Sequence, residues 1–298
     1  MQGDILGGGY PPPVAWLLTL GDPRKLDKPT LESRGWPNYL GHGLGPASIP
    51  DLIRLVGDEV FNEGDPDSPE VWGPLHAWRA LGQLHATEAV APLLDVLSNN
   101  EGDDWVHEEL PRVFALIGPA AIPLVAAYLA DTSQTLTTRI TPVTALEKIA
   151  EAHPEARDES VRALARQLES YQDNDPELNG FIISSLVQLK AVEAAPLMQQ
   201  AFESNSVDLI VMGDGDDARV ELGLIPARVQ LTQEHPTESR NRMQRYMGIP
   251  SMPPPPAALA HLLSPGALAP PPAVQQNKSD KAKKKAADKQ RKRNKKHK

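Results

Sequence analysis

Cysteine is absent from the 298 residues. That excludes disulfides, thiolate nucleophiles and thiolate metal sites, and it is compatible with a reducing compartment. Aromatic residues make up only 5%, and Ala, Leu, Val and Ile supply the apolar mass. Such a composition fits close-packed helices better than a β-sandwich, whose strands favour aromatic and β-branched residues. No segment reaches the ~18–20 apolar residues of a membrane span, and Met1 to Pro13 holds neither a basic residue nor an apolar run of about 7–15 residues. A secretory leader is therefore not expected, and a cytoplasmic location is. Gly7-Gly8-Gly9 has no following Lys-Ser/Thr and no preceding strand, so it is not a phosphate loop. No Ser–His–Asp grouping follows from spacing, and neither a cofactor nor a metal is implied.

The net charge of −9 conceals a division. Residues 277–298 carry twelve Lys or Arg against Asp280 and Asp288, which leaves the rest of the chain at −19. An acidic body argues against a surface that grips nucleic acid, since phosphate contacts need clustered cations.

One phrase recurs along that body, apolar–Pro–apolar at the head of a helical stretch. It reads Ile49-Pro50-Asp51-Leu52, Ala91-Pro92-Leu93-Leu94, Ile122-Pro123-Leu124-Val125 and Ala195-Pro196-Leu197-Met198. The prolines stand 42, 31 and 73 residues apart, and Ser160-Val161 marks a further copy that divides the last interval into 37 and 36. Proline has no N–H and a fixed φ, so the first turn of a helix suits it. A second phrase, Ala80-Leu81, Ala115-Leu116, Ala145-Leu146 and Ser185-Leu186, is spaced 35, 30 and 40. Two phrases with one period predict an array of stacked helical hairpins.

The predicted organisation has five parts. Residues 1–45 form a Gly/Pro-rich lead-in with one short helix around Val14 to Leu20, whose apolar side caps the array. Residues 46–225 are the repeats, with inward stripes such as Val71, Leu75, Trp78, Leu81 and Leu84. Residues 226–249 hold a terminal helix near Arg240 to Met247, residues 250–276 an extended Pro-rich linker, and residues 277–298 a basic disordered tail.

The stretch Ala80-Leu81-Gly82-Gln83-Leu84 through Glu88-Ala89-Val90-Ala91-Pro92-Leu93-Leu94 resembles a HEAT-like repeat, in the short bacterial version named after the bilin lyases of light-harvesting antennae. The resemblance spans roughly residues 46–225. It implies an all-α, right-handed α-solenoid of the armadillo type, a fold that serves many unrelated functions. The segment from Trp72 to Leu224 is also similar to bacterial HEAT-like proteins without assigned activity. Their acidic closing phrase is matched by Gly213-Asp214 and Val220-Glu221-Leu222-Gly223-Leu224, with Gly215 where an aromatic would stand.

Several constellations are candidates for function. Trp72 and His76 are four residues apart on one helix and suit a ligand groove; packing at a repeat interface is the ordinary alternative. Asp103, Asp104, Trp105, Glu108 and Glu109 form an acidic edge at a helix start, either a cap or a patch for a basic segment anchored by Trp105. Asp214, Asp216 and Asp217 lack the Gly and Glu that a twelve-residue Ca²⁺ loop requires, and read as an acidic turn ahead of a helix. His107-Glu108 is the only His-Glu pair, whereas HEAT-like hydroxylases with a di-iron centre resemble this fold and use several. The tail groups Lys283-Lys284-Lys285 and Arg291-Lys292-Arg293 have no interleaved aromatics, so they suit phosphate charge rather than base stacking.

These observations point to a non-enzymatic scaffold that docks a protein partner, with the tail as an electrostatic attachment to a polyanion. Two other expectations stand beside it. One is lyase or isomerase activity on a bilin carried by an antenna protein, as the repeat's name implies; the other is an RNA- or ribosome-associated factor acting through the tail.

Overall fold

The computed structural model describes residues 9–26 and 36–226. The predicted terminal helix, the Pro-rich linker and the Lys-rich tail lie outside the described residues.

The lead-in contributes α1 (Pro12–Ala15), followed by a 3-10 turn over Trp16–Thr19, where the short helix was expected. Then come α2 (Ile49–Val56), α3 (Glu59–Asn62), α4 (Gly73–Gln83), α5 (Val90–Asn99), α6 (Asp104–Ile117) and α7 (Ile122–Ala130). The chain continues with α8 (Leu136–Ala152), α9 (Arg157–Leu168), α10 (Pro176–Gln188), α11 (Ala195–Glu203), α12 (Leu209–Met212) and α13 (Gly215–Glu221). No strand occurs among the described residues, and no single helix among them is long and apolar enough to cross a membrane.

The recurring proline phrase sits where its chemistry places it. Pro50, Pro123 and Pro196 occupy the first or second position of α2, α7 and α11, each just after a 3-10 turn. Pro92 is one residue deeper, in the third position of α5, still among the first four N–H groups that lack an intrahelical acceptor. Where Ser160 replaces proline, α9 starts three residues earlier, at Arg157. Asp103, Asp175 and Asp214 cap α6, α10 and α13 by accepting hydrogen bonds from first-turn N–H groups.

The helices pack in two rows. In one, α2, α4, α6, α8 and α10 each lie against the next, and α10 goes on to α12 and α13. In the other, α5, α7, α9 and α11 do the same. Contacts of α5 with α6, α7 with α8, and α9 with both α8 and α10 join the rows over one apolar core running from Tyr10 to Leu222. The described part of the lead-in belongs to this unit, with Val14, Leu17, Trp36 and Tyr39 buried in the same core.

The C-termini of α4, α10, α11 and α13 share one pattern. His85, Lys190 and Asn205 have φ of 52°, 54° and 55°, and Gly223 has φ of 74°. In each case the next residue's N–H reaches back over the last turn, as Ala86 does to Leu81 O at 3.1 Å and Ala191 to Leu186 O at 2.9 Å. This is the left-handed cap, normally a glycine position. Side chains from a neighbouring hairpin then meet the carbonyls left over. His85 Nδ1 donates to Leu116 O at the end of α6, and His153 Nε2 donates to Ala115 O at 2.9 Å. Arg139 Nε donates to Leu129 O at 2.9 Å and Arg157 Nε to Leu189 O at 3.0 Å. Lys190 Nζ donates to Glu221 O at 2.8 Å.

Lys190 thus combines a left-handed backbone, which costs a non-glycine residue about 1–2 kcal/mol, with a tie to α13. Lys190→Gly and Lys190→Ala both lose the tie, but only glycine relieves the backbone. In urea unfolding, Lys190→Gly is expected to be more stable than Lys190→Ala by about 1 kcal/mol; equal values would remove the backbone account.

Candidate functional site

Because α4 and α6 are neighbours in one row, their N-terminal ends lie side by side. Trp72 closes the 3-10 turn Pro69–Trp72 that leads into α4. Trp105 is the second residue of α6, held there by its N–H bond to Asp103 Oδ1 at 2.9 Å. The two rings meet edge to face, with centroids 5.7 Å apart and an interplanar angle of 82°. They border a groove of about 230 Å³, with Val71, Leu75, Trp78 and Val96 as apolar lining and Asn62, Asn100 and Asp103 at its polar margin.

A guanidinium stands over the ring pair. Arg24 lies 5.4 Å from the Trp72 centroid and 5.6 Å from that of Trp105. It is aimed by Asp22, which accepts from the Arg24 N–H and Nε at 2.9 Å each and from Nη2 at 2.7 Å. These bonds hold the Asp22 carboxyl below its ordinary range.

Below the groove the polar groups serve the fold. Arg79 on α4 and Glu109 on α6 form a buried ion pair, their side chains 4% and 6% exposed. Arg79 Nε donates to Glu109 Oε2 at 2.6 Å, Nη2 donates to Oε1, and Trp78 Nε1 donates to Oε2 at 3.3 Å. Trp36 of the lead-in covers the pair, with the Arg79 guanidinium 5.0 Å from its centroid and that of Arg112 4.5 Å away. His76 is wholly buried. Its Nε2 donates to Gly21 O at 2.9 Å, so Nδ1 is the acceptor for the Tyr39 hydroxyl at 2.7 Å. Burial lowers the His76 pKa to about 4 and raises that of Tyr39. Gln83 completes the attachment, donating to Pro37 O at 2.8 Å and accepting from Tyr39 N at 3.0 Å.

Of the residues singled out in the sequence, the structure brings together Trp72 and Trp105. Glu108 is exposed on α6. His76 and Glu109 are corrections to the expected groove: both are buried and present no surface to a partner. Asp214, Asp216 and Asp217 stand on another element, where Asp214 Oδ1 accepts from the N–H groups of Asp216 and Asp217 at 3.0 and 3.1 Å, and Asp217 Oδ2 accepts from Asp214 N at 2.9 Å. That reciprocal pair is a capping box for α13. His107 places its ring nitrogens on Thr141 Oγ1 at 2.7 Å and Glu101 O at 2.8 Å. Among the described residues no three His, Cys, Asp or Glu are grouped to hold a metal ion. Lys283, Lys284, Lys285, Arg291, Lys292 and Arg293 lie outside the described residues.

Reading the sequence alone missed Arg24, Trp36, Tyr39 and Arg79. For Arg79 a signal exists: it is the lone charge in a buried helix, and Glu109 follows 30 residues later, at the repeat spacing.

Two measurements test this interior. Glu109→Ala leaves a buried guanidinium unpaired and is expected to cost about 3–5 kcal/mol in urea unfolding, whereas the double change Arg79→Met/Glu109→Leu should recover most of that loss. His76 is neutral in the folded chain down to about pH 4 but protonates near pH 6.5 when unfolded. The unfolded state therefore binds the extra proton between those values, and His76 makes stability fall as pH drops through that window. Between pH 7.5 and 5 the native chain is expected to lose about 2 kcal/mol more than His76→Gln; parallel profiles would contradict the burial argument.

Compared with protein-family models, curated proteins and solved structures, the chain matches none.

Proposed function

We propose that the chain is a non-enzymatic protein-interaction scaffold: a right-handed α-solenoid of HEAT-like hairpins that docks a partner segment, with the Lys-rich residues 277–298 adding electrostatic attachment to a polyanion. The solenoid reading is supported by the stepwise contacts within each row. It is also supported by side-chain ties that recur at one hairpin's distance, His85 and Lys190 each reaching a carbonyl 31 residues ahead. Stacked hairpins present extended surfaces, and such surfaces serve binding.

The observation that carries the docking reading is the groove between the starts of α4 and α6. Two half-buried tryptophans, in contact with each other and bordering a cavity, are the type of anchor that dominates protein–protein interfaces. Their edge-to-face contact, with the Trp105 backbone tied to Asp103, sets the rings before any partner arrives, which lowers the entropy lost on binding. Attachment through the tail is supported by twelve cations in 22 residues. Joining the two contacts on one chain raises the effective concentration of partner near the polyanion.

Selection of displayed random 12-residue peptides on the full-length protein tests the docking reading, with Trp72→Ala/Trp105→Ala as counter-target. Peptides enriched on the native chain should bind the double variant at least about tenfold more weakly. Enriched peptides that bind both forms equally would place docking elsewhere and sink this reading.

A further inference from the structure

What the groove accepts is narrowed by the charge around it, an argument that rests on the docking reading above. Two acidic segments wall the groove. Residues 58–70, which contribute Asn62 and Pro66, carry six carboxylates and no lysine or arginine. Residues 100–108, which contribute Asn100, Asp103 and Trp105, carry four carboxylates and again no lysine or arginine. Glu63, Asp65, Asp67, Glu101 and Asp104 are exposed, so the groove lies between two negative rims that draw in cations and repel anionic segments.

The ring pair has the matching chemistry. An indole face attracts a cation through its quadrupole, and guanidinium is the side-chain group that also stacks on it. The structure already displays that complex, because the Arg24 guanidinium stands within 6 Å of both centroids. Its side chain is 64% exposed, so it covers the rings from the solvent side rather than filling the core.

We infer that the groove reads arginine. A basic partner segment lays a guanidinium on Trp72 and Trp105 and its other cations against the acidic rims, and Arg24 holds the same seat in the unbound chain. Arg24 is thereby an internal competitor, kept near the rings by Asp22.

The test uses the full-length protein and three synthetic 12-residue peptides. One carries two Arg-Leu-Arg blocks, the second has citrulline at every arginine, and the third has glutamate there. The readouts are the Trp72 and Trp105 indole N–H signals in ¹H–¹⁵N spectra and a fluorescence titration. The arginine peptide is expected to shift both signals and to bind about tenfold more tightly than its citrulline counterpart, the factor a desolvated cation–π contact supplies. Added salt should narrow that gap as the rims are screened. Arg24→Ala should tighten arginine-peptide binding a few-fold.

Equal binding of the arginine and citrulline peptides overturns the charge reading and leaves the groove as a docking site. Preferential binding of the glutamate peptide does the same. If no peptide moves either indole signal, arginine recognition is overturned, and the docking reading is decided by the peptide selection. Weaker arginine-peptide binding by Arg24→Ala would make Arg24 part of the seat and refute the competitor.

Discussion

An α-helix ends with four carbonyls that have no partner within it, and stacking helices in rows buries many of those ends beside their neighbours. This chain meets the problem with side chains sent from a different hairpin. His85 and His153 reach the end of α6, Arg139 the end of α7, Arg157 the end of α10 and Lys190 the end of α13. Each tie puts a donor, often a cation, at the negative end of a helix dipole. Except for Arg139, whose tie to Leu129 spans ten positions, each also links residues 31 to 38 positions apart, so one hairpin fixes its neighbour's height as well as covering its apolar face. A consequence for charge follows. Several of the body's few cations are committed to helix ends, and the surplus carboxylates are left on the surface.

The Arg79–Glu109 pair does for α4 and α6 what those ties do for helix ends. A buried ion pair is weak evidence for stability, since apolar residues of similar volume often do as well. What it supplies here is register, because sliding α4 along α6 would strand two charges away from water. Trp36 and Tyr39 close over the same region, so the lead-in is strapped to α4 rather than merely shielding the first repeat. Every residue of α4 from Gly73 to Gly82 is buried as a result. With α4 covered on several sides, Trp72 and Trp105 keep partly exposed aromatic surface where its leading turn meets the start of α6.

Much of the helical arrangement could be read from the sequence, because it is written in repeated local signals. Proline at helix starts, aspartate at caps and the Ala-Leu phrases located most helices within a few residues. The acidic run at Asp214 is the cap that helix chemistry favours. The reading failed where burial depends on what lies across from a helix rather than on its own pattern. A 3.6-residue period reveals which face is apolar, but the lead-in that covers His76 and Glu109 has no period. Helical spacing puts Trp72 and His76 on one face. Trp72 in fact belongs to a 3-10 turn, whose three residues per turn break that relation at Gly73. One ring then faces the groove while the imidazole points into the core.

The rim carboxylates divide by the same kind of reasoning. Asp58 accepts from Val60 N as the cap of α3, Asp103 caps α6, and Asp65 accepts from Asp67 N in a turn. Those three have structural employment, and helix dipoles offset part of the charge of the first two. Glu63 and Glu101 lie outside helices, and the Asp67 side chain makes no such capping bond, so fold chemistry gives these acids no task. Any field that steers a cationic segment toward Trp72 and Trp105 therefore draws on them together with the exposed Glu59, Glu70, Asp104 and Glu108. Asp103, though it lines the groove, has part of its charge offset by the α6 dipole. A groove built from helix starts acquires acids for reasons of capping; its specificity rests on the ones capping does not require.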